Sequence, residues 1–467
     1  MTEVTIVGGG LAGMTAAWAI RKLGLDVRLV EAAPELGGMA GTRVIDGRPE
    51  DHGVHIFPAW YRNALGLLEE LDLLGNLREC DNFYQLMPGE FPSLRTFRSL
   101  FTLGDFVKDI RSGVTSTADR LLFYYGLIDL LSQDYAGRDE SLSRFLRSRW
   151  YLTETAIADI EHLFVASSAA ESDLASAASF RGSIAAFSRH PGRVRMPRGT
   201  LQDTIIGPFR AKLVAASVDI RTDTELTAVS VCDGRLDTIT LAETEPVTGH
   251  VVLAIPHGRL AGLDLDLGVD ELSSRPLGAL HVYLRRRLPG LPDEHVRLVS
   301  SPHAITLIDV GQVWPGHETT LLNCVVGRVS RLATMSPEAA SKVLVEELMT
   351  YLPTMTWDDI ERVCYQPHFA EPFFVPGPGF DAHRPVATTA LANLHLAGDF
   401  CAAPPGVAGM EGAIRSGLAA AESVRRALRP AAPPVRILDF EPIDPRRVRI
   451  LRRILAPVAA ITKLLAR

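Results

Sequence analysis

Apolar positions along this chain follow two periods, and the first 30 residues show both. Val4-Thr5-Ile6-Val7 is a short β-branched run, the pattern of a strand buried on both faces. Met14 to Leu23 is rich in Ala and Leu and stops at Gly24, which predicts a helix ended by glycine. Val27-Arg28-Leu29-Val30 predicts a second strand. An amphipathic helix is expected over Ala64 to Leu74, and residues 96–190 read as mostly helical. There the apolar spacing is clear at Leu121, Leu122, Tyr125, Ile128 and Leu131, and again at Ile157, Ile160, Leu163 and Phe164. Met196-Pro-Arg-Gly-Thr opens a helix through Leu213. Strand patterns follow at 218–221, 226–232, 236–241 and 250–255, then at 277–287 and 304–328, before a helix over 337–352. Leu394 to Phe400 predicts a strand ending in Gly-Asp, and a glycine-led helix runs on through Leu428. Pro430-Ala-Ala-Pro-Pro434 is a linker to a last helix over 445–467.

A chain of 467 residues has room for two or three domains of roughly 150 residues each. With 47% apolar and 22% charged residues it is neither disordered, collagen-like nor a disulfide mini-scaffold. A net charge of −7 argues against general nucleic-acid binding. That charge is unevenly spread: residues 445–467 hold seven cations and no acid, leaving −14 on the rest. Five scattered cysteines with no C-x-x-C point to a reducing compartment, and no metal site is expected. Residues 4–7 run straight into glycines without a basic flank, so no leader is expected, and no apolar run reaches the ~18 residues of a spanning helix.

The chemistry is densest at Gly8-Gly9-Gly10-Leu11-Ala12-Gly13, between the first strand and helix. This is G-x-G-x-x-G at Gly8, Gly10 and Gly13, with Glu31 at the end of the second strand, 18 residues after the last glycine. Gly8 allows the tight turn, Gly10 leaves room for a pyrophosphate, and Gly13 lets helix and strand pack closely. The helix start supplies N–H groups and partial positive charge to phosphates, and Glu31 suits ribose hydroxyls. Strand, helix, strand and acid in register predict a dinucleotide site. A second glycine doublet, Gly37-Gly38, brings more backbone close to the cofactor, and Arg43 offers a cation near phosphate or flavin. Gly398-Asp399, followed by the helix from Gly409, repeats the logic of a strand, an acid and a glycine-led helix start.

These motifs resemble those of the flavin amine oxidase and carotene desaturase superfamily. Within it the chain looks most like plant-type phytoene desaturases and hydroxysqualene dehydroxylases. Residues 4–43 resemble the whole superfamily; Gly53-Val54-His55-Ile56-Phe57 with Tyr61 and Asn63, and Gly398-Asp399 with Met410-Glu411-Gly412-Ala413, resemble the desaturase branch. Weaker similarity runs through 160–187 and 276–288, where His281 and Arg287 fit a family strand. The resemblance implies an α/β fold: an FAD-binding Rossmann-like domain of the glutathione-reductase type, assembled from 1–90, 195–262 and 386–430. An α+β substrate domain from 91–194 and 263–385 would be inserted into it, and 431–467 would form a linker and a basic amphipathic helix. It implies FAD, with Gly8, Gly10, Ala12, Gly13, Glu31 and Ala32 at the AMP half. Gly38, Met39, His55, Ile56 and Tyr61 would line the path to the flavin, and Leu226 would meet the adenine. Gly398 and Asp399 would hold ribityl or pyrophosphate oxygens, and Met410, Glu411 and Ala413 would form the helix start against the flavin. Met39 departs from a basic residue common in relatives, Arg285-Arg286 replaces a common acid, and Phe400-Cys401 makes one end of the pocket apolar. Arg181 and Arg189 lie in the stretch where the branch keeps a substrate-side arginine.

The implied activity is removal of hydride from a lipophilic isoprenoid, carotene-, phytoene- or squalene-like, forming or rearranging C=C bonds. The flavin carries the redox chemistry, which suits a chain without a visible triad or dyad. His55 and Arg43 are the candidate catalytic groups beside it, with His52 a further titratable neighbour of the motif. Quinone or oxygen is the expected electron acceptor, since no second G-x-G-x-x-G offers a nicotinamide site. A flavin amine oxidase on a soluble amine, and a redox-neutral polyene isomerase, are the alternatives. The tail reads as a helix with Val448, Leu451, Ile454, Leu455, Val458 and Leu465 on one side and Arg449, Arg452, Arg453, Lys463 and Arg467 on the other. That predicts a cytoplasmic protein lying on the membrane surface through 445–467, or else a helix docked on the acidic body.

Overall fold

The computed structural model describes residues 3–53, 55–97, 103–135, 139–168, 171–190, 192–367, 373–380, 383–404, 406–440 and 443–466. Val54 of the predicted motif and Arg467 of the tail lie outside them. The chain opens with β1 (Val4–Val7), α1 (Leu11–Lys22) and β2 (Val27–Val30), the predicted βαβ unit. A hairpin of β3 (Thr42–Ile45) and β4 (Arg48–Asp51) follows, then α2 (Arg62–Glu70), β5 (Phe83–Leu86) and β6 (Arg95–Phe97). The helical block contains α3 (Thr117–Ser132), α4 (Glu154–Ser168) and α5 (Ala177–Arg189). Next come β7 (Asp219–Arg221), β8 (His250–Leu253), β9 (Gly278–Leu284), β10 (Val296–Leu298), β11 (Ile305–Asp309) and β12 (Leu321–Val326). The chain closes with α6 (Pro337–Tyr351), β13 (Ile360–Gln366), β14 (Leu394–Leu396), α7 (Gly409–Leu428) and α8 (Pro445–Leu465).

Two sheets organise the molecule. The first is parallel, in the order β14-β8-β1-β2-β7. Its central strands are buried on both faces, which is why β1 and β8 are mostly apolar and β-branched. Helices α1 and α7 pack so closely that a Cβ on Gly417 would stand 2.3 Å from the Ala12 carbonyl oxygen. The second sheet has seven strands, in the order β13-β9-β12-β11-β10-β5-β6, with antiparallel neighbours except for the parallel β10–β5 pair. One face buries Leu280, Val282, Leu322, Cys324 and Leu307 in the cluster that includes Leu344 and Leu348 of α6. Strand β5 falls within the 1–90 segment expected of the first half, yet it pairs in this second sheet. The expected strand 304–328 is two strands, because Gly311 and Pro315-Gly316 break the run.

Helix α8 is docked along α3. Ser116 caps α3 by accepting from the Asp119 N–H, and Asp444 caps α8 by accepting from the Arg446 N–H. Ala459, Leu455 and Ala456 of α8 join the cluster that includes Leu122 and Leu130. Arg452 lies 2.7 Å from the fully buried carboxylate of Asp129, and the Lys463 ammonium donates to the Leu152 carbonyl. The expected two-sided partition is therefore corrected: Val448 and Leu455 are not on the exposed face, and Arg452 and Lys463 turn inward. What faces outward is a stripe of Ile450, Leu451, Ile454, Val458, Ile461, Leu464 and Leu465, flanked by Arg447, Arg449 and Arg453. Pro457 sits inside the helix without ending it. No helix among the described residues is long and apolar enough to cross a membrane.

Candidate active site

The three motif glycines differ in what surrounds them. Gly8 has φ +105°, and a Cβ there would lie 2.4 Å from the Ala254 carbonyl oxygen. A Cβ on Gly13 would lie 1.9 Å from the Gly8 carbonyl oxygen, so this position is closed by packing. Gly10 differs: its φ is −72°, and the nearest atoms to an added Cβ are 3.9 Å away. It caps α1 without any side-chain hydrogen bond, so no cap side chain takes the first N–H groups of the helix. Gly37 donates to the Gly9 carbonyl and pairs with Gly10, so the second glycine doublet folds onto the first loop. Glu31 accepts from the Gly9 N–H at 2.6 Å and the Ala33 N–H at 2.8 Å. A carboxylate has acceptor capacity beyond two bonds, so ribose hydroxyls can still be taken. Ala32 beside it is exposed, while Leu226 is buried just ahead of a strand that begins at Ala228.

The second helix start closes the cleft from the other side. Helix α7 is capped by Ala408 with no side-chain bond, and Gly409 has φ +60° with the Tyr61 hydroxyl 3.9 Å from its virtual Cβ. Asp399 is bonded by the N–H groups of Gly409 and Phe400, and burial pushes its carboxyl up to about 6. Gly398 donates to the Ser416 hydroxyl. Met410 shares an apolar cavity wall with Leu11, Ala40 and Phe57, which joins the two helix starts. The α1 N-terminus with its open Gly10, and the α7 N-terminus with the half-buried Asp399 on its first N–H, fit a dinucleotide with two phosphates and ribose hydroxyls. Gly38 is exposed, Met39, Ile56, Tyr61 and Ala413 are half-buried, and all sit on these same segments.

Glu411 has another task than the one expected of it. Its buried carboxylate accepts from the N–H groups of Asn63 and Ala64 and from the Asn63 amide. It caps α2 from α7 and locks the two together. Arg43 is exposed on β3, opposite Glu50 in the hairpin register. Arg181 donates to the carbonyls of Leu131 and Ile443, tying α5 to the segment before α8. His55 is half-buried, its Nδ1 has no hydrogen-bond partner, and its desolvated surroundings hold the imidazole down to about 4.

Sequence reasoning missed a buried polar cluster on the second sheet's other face. Glu50, fully buried at the end of the hairpin, lies 2.6 Å from Nδ1 of His281 on β9. Arg362 of β13 pairs with the same carboxylate, and the Tyr283 hydroxyl donates to it at 3.2 Å. Burial alone would raise the Glu50 pKa, but His281 and Arg362 hold it below the ordinary value. His281 stands beside Asn323 of β12 in register. A cavity next to them is lined by Asp51, Gly53, His55, Asn323 and Trp314. Burial pushes the Asp51 carboxyl up to about 6. The one available signal was the alternation His281, Tyr283 within an otherwise apolar strand. The partner Glu50 is separated from it by more than 200 residues and could be found only in three dimensions.

Comparison with known proteins agrees with this geometry. A family model described as flavin containing amine oxidoreductase matches residues 11–425. The chain is 40% identical over 77 residues to zeta-carotene desaturase of Synechocystis sp., 16% of either chain. It is 42% identical over 59 residues to carotenoid 3,4-desaturase of Haloarcula japonica, 13% of this chain and 11% of that one. It is also 40% identical over 84 residues to the methylenetetrahydrofolate–tRNA-(uracil-5-)-methyltransferase of Anaeromyxobacter dehalogenans, 16% of this chain and 17% of that one. These matches span less than a fifth of the relatives' own length. Solved structures share the fold throughout. Putrescine oxidase bound to putrescine has a TM-score of 0.68 at 18% identity, covering 91% of this chain and 99% of its own. Cyclohexylamine oxidase from Brevibacterium oxydans has a TM-score of 0.65 at 15% identity, covering 92% and 100%.

Proposed function

We propose, from the premise that the chain belongs to the flavin-containing amine oxidoreductase family and is an FAD-dependent oxidoreductase, that its substrate is a lipophilic isoprenoid desaturated at the membrane surface. The observation that carries this reading is the outward stripe of α8, seven large apolar side chains edged by arginines. Such a face lies at a bilayer interface with its cations near anionic headgroups. Exposed Trp150 adds an aromatic anchor; the neighbouring Tyr151 ring packs on Tyr125, whose hydroxyl reaches the Arg452 carbonyl of α8. An enzyme for a bilayer-dissolved substrate needs this placement, and relatives named as carotenoid desaturases support the substrate class.

In this reading the FAD-binding domain is built from the parallel sheet and its helices, and the second sheet with the helical block forms the substrate domain. Bound FAD supplies the acceptor for a hydride taken from an activated C–H, with quinone or oxygen as the final oxidant. The chain's part is to hold the cofactor through Gly10, Glu31, Asp399 and the α7 start, and to take the proton that leaves the adjacent carbon. His55 is poorly suited to receive it, with a pKa near 4. His281 is the acceptor we assign on geometry: its Nδ1 stands 2.6 Å from the buried Glu50 carboxylate, and its Nε2 has no hydrogen-bond partner in the protein. Arg43 carries no proton in this scheme.

His281→Ala should keep its FAD and lose roughly 100-fold in kcat. An unchanged kcat would return His281 to a structural role. The substrate class is tested by incubating the holoenzyme in air with isoprenoids in liposomes and, separately, with mono- and diamines. Conversion of a lipid, with no hydrogen peroxide released from any amine, is expected. Amine turnover with inert lipids would overturn the reading.

A further inference from the structure

Arg384 reaches the stretch between β14 and α7 from the apolar side. Its side chain is buried, and its guanidinium lies 4.7 Å from the ring centre of Phe380. Phe380 belongs to the apolar cluster that also holds Phe400 and Cys401. Taking a guanidinium out of water is costly unless its N–H groups are met. Here Nη2 donates to the Asp399 carbonyl at 2.8 Å and the Val407 carbonyl at 3.1 Å. Nε donates to the Phe400 carbonyl at 3.3 Å. One side chain thus ties the turn after β14 to the residues that open α7. In a trans peptide the C=O and N–H point opposite ways. Drawing these carbonyls onto Arg384 therefore turns the N–H groups of Phe400, Cys401 and Ala408 away from it. The Phe400 N–H meets the Asp399 carboxylate, and so does the N–H of Gly409. The Cys401 N–H meets the Gly398 carbonyl, and Ala408 is the cap residue of α7.

We infer that Arg384 is a positioning residue of the cofactor site: it sets the Asp399 carboxylate and the start of α7 to meet FAD, and its positive charge supports that carboxylate. The inference rests on the reading above in which Asp399 holds FAD. Burial raises the Asp399 carboxyl to about 6, and the Arg384 charge pulls the other way. The other ionisable groups around this turn are accounted for. Burial drives the Cys401 thiol and the Tyr61 phenol up, and the His257 imidazole beside Phe400 down. Arg415 of α7 donates to the Ala402 carbonyl, and the Glu411 carboxylate, itself raised by burial, turns to α2. An ionised carboxylate offers acceptors only, whereas a protonated one gives up part of that capacity to a proton. FAD is therefore held fully above about pH 6 and released progressively as pH falls below it.

The test dilutes the holoenzyme at a series of pH values and reads released FAD by its fluorescence, with a thermal melt to confirm folding. Arg384→Gln keeps hydrogen-bond donors and loses the charge; Arg384→Lys keeps the charge and loses the planar fork. Both should hold FAD about tenfold less tightly at alkaline pH. In Arg384→Gln the onset of acid release should also move up by about one pH unit or more. In Arg384→Lys the onset should stay where the unaltered enzyme shows it. Equal onsets in all three proteins, or an equal rise in both variants, would overturn the assignment. So would undiminished FAD retention in Arg384→Lys, a result that decides the matter even if Arg384→Gln does not fold. Asp399→Asn should bind FAD weakly with no acid onset at all. If it retains FAD as the unaltered enzyme does, the placing of Asp399 at the cofactor itself falls, an outcome distinct from the failure of Arg384.

Discussion

Gly10→Val should yield a folded protein without FAD, whereas Gly13→Val should yield no folded protein. The two glycines sit three residues apart in one motif, and only their surroundings differ. Gly10 has backbone angles open to any residue, and an added Cβ meets nothing closer than 3.9 Å. A valine there points its branches into the space the pyrophosphate needs, so cofactor affinity is lost while the apoprotein should melt within about 4 °C of the FAD-free wild type. At Gly13 the same Cβ would stand 1.9 Å from the Gly8 carbonyl oxygen, and α1 could not pack on β1. Flavin absorbance per protein and a thermal melt read both outcomes. Full flavin occupancy in Gly10→Val would contradict the assignment of this loop to phosphate.

The second large effect concerns α8. Ile454 and Ile461 are 66% and 60% exposed on its outward face. If that face enters the lipid interface, the pair contributes about 3 kcal/mol of apolar burial, and Ile454→Asp with Ile461→Asp should weaken pelleting with anionic liposomes by more than about 100-fold. FAD content and melting temperature should hold, because both side chains are largely exposed and neither belongs to the apolar cluster on α3. Changing Arg447, Arg449 and Arg453 to Gln should mainly remove the dependence on anionic lipid and on salt. Deleting 440–467 is a poorer experiment: it strips α3 of its cover and leaves the fully buried Asp129 without Arg452. Undiminished pelleting of the doubly substituted protein would place the membrane contact elsewhere.

Local features of the fold were legible in the sequence, and pairings across the chain were not. The βαβ unit could be read because its period, its glycines and Glu31 all lie within 31 residues. The same holds for α7, whose predicted end at Leu428 is the observed one. Strands β5 and β6 were missed because they are three or four residues long, and β5 owes its form to a partner, β10, more than 200 residues along the chain, with β6 an edge strand paired on β5. The tail pattern gave a helix but misplaced Leu455 and Arg452, because a helix with apolar residues on two faces has no single stripe to find. Glu411 was read with its motif neighbours at the flavin, yet its carboxylate turns to α2, a partner that only the packed structure reveals. The Glu50–His281 pair and the unpartnered Asn323 belong to the same class.

The central claim is that this FAD enzyme takes hydride from an isoprenoid carbon. Its most direct test is anaerobic mixing of the oxidised holoenzyme with isoprenoids in liposomes, following the flavin absorbance and the mass of the lipid. Bleaching of the flavin by lipid alone, with a product two hydrogens lighter, is the predicted result; a flavin that stays yellow with every isoprenoid and bleaches only with an amine would contradict it.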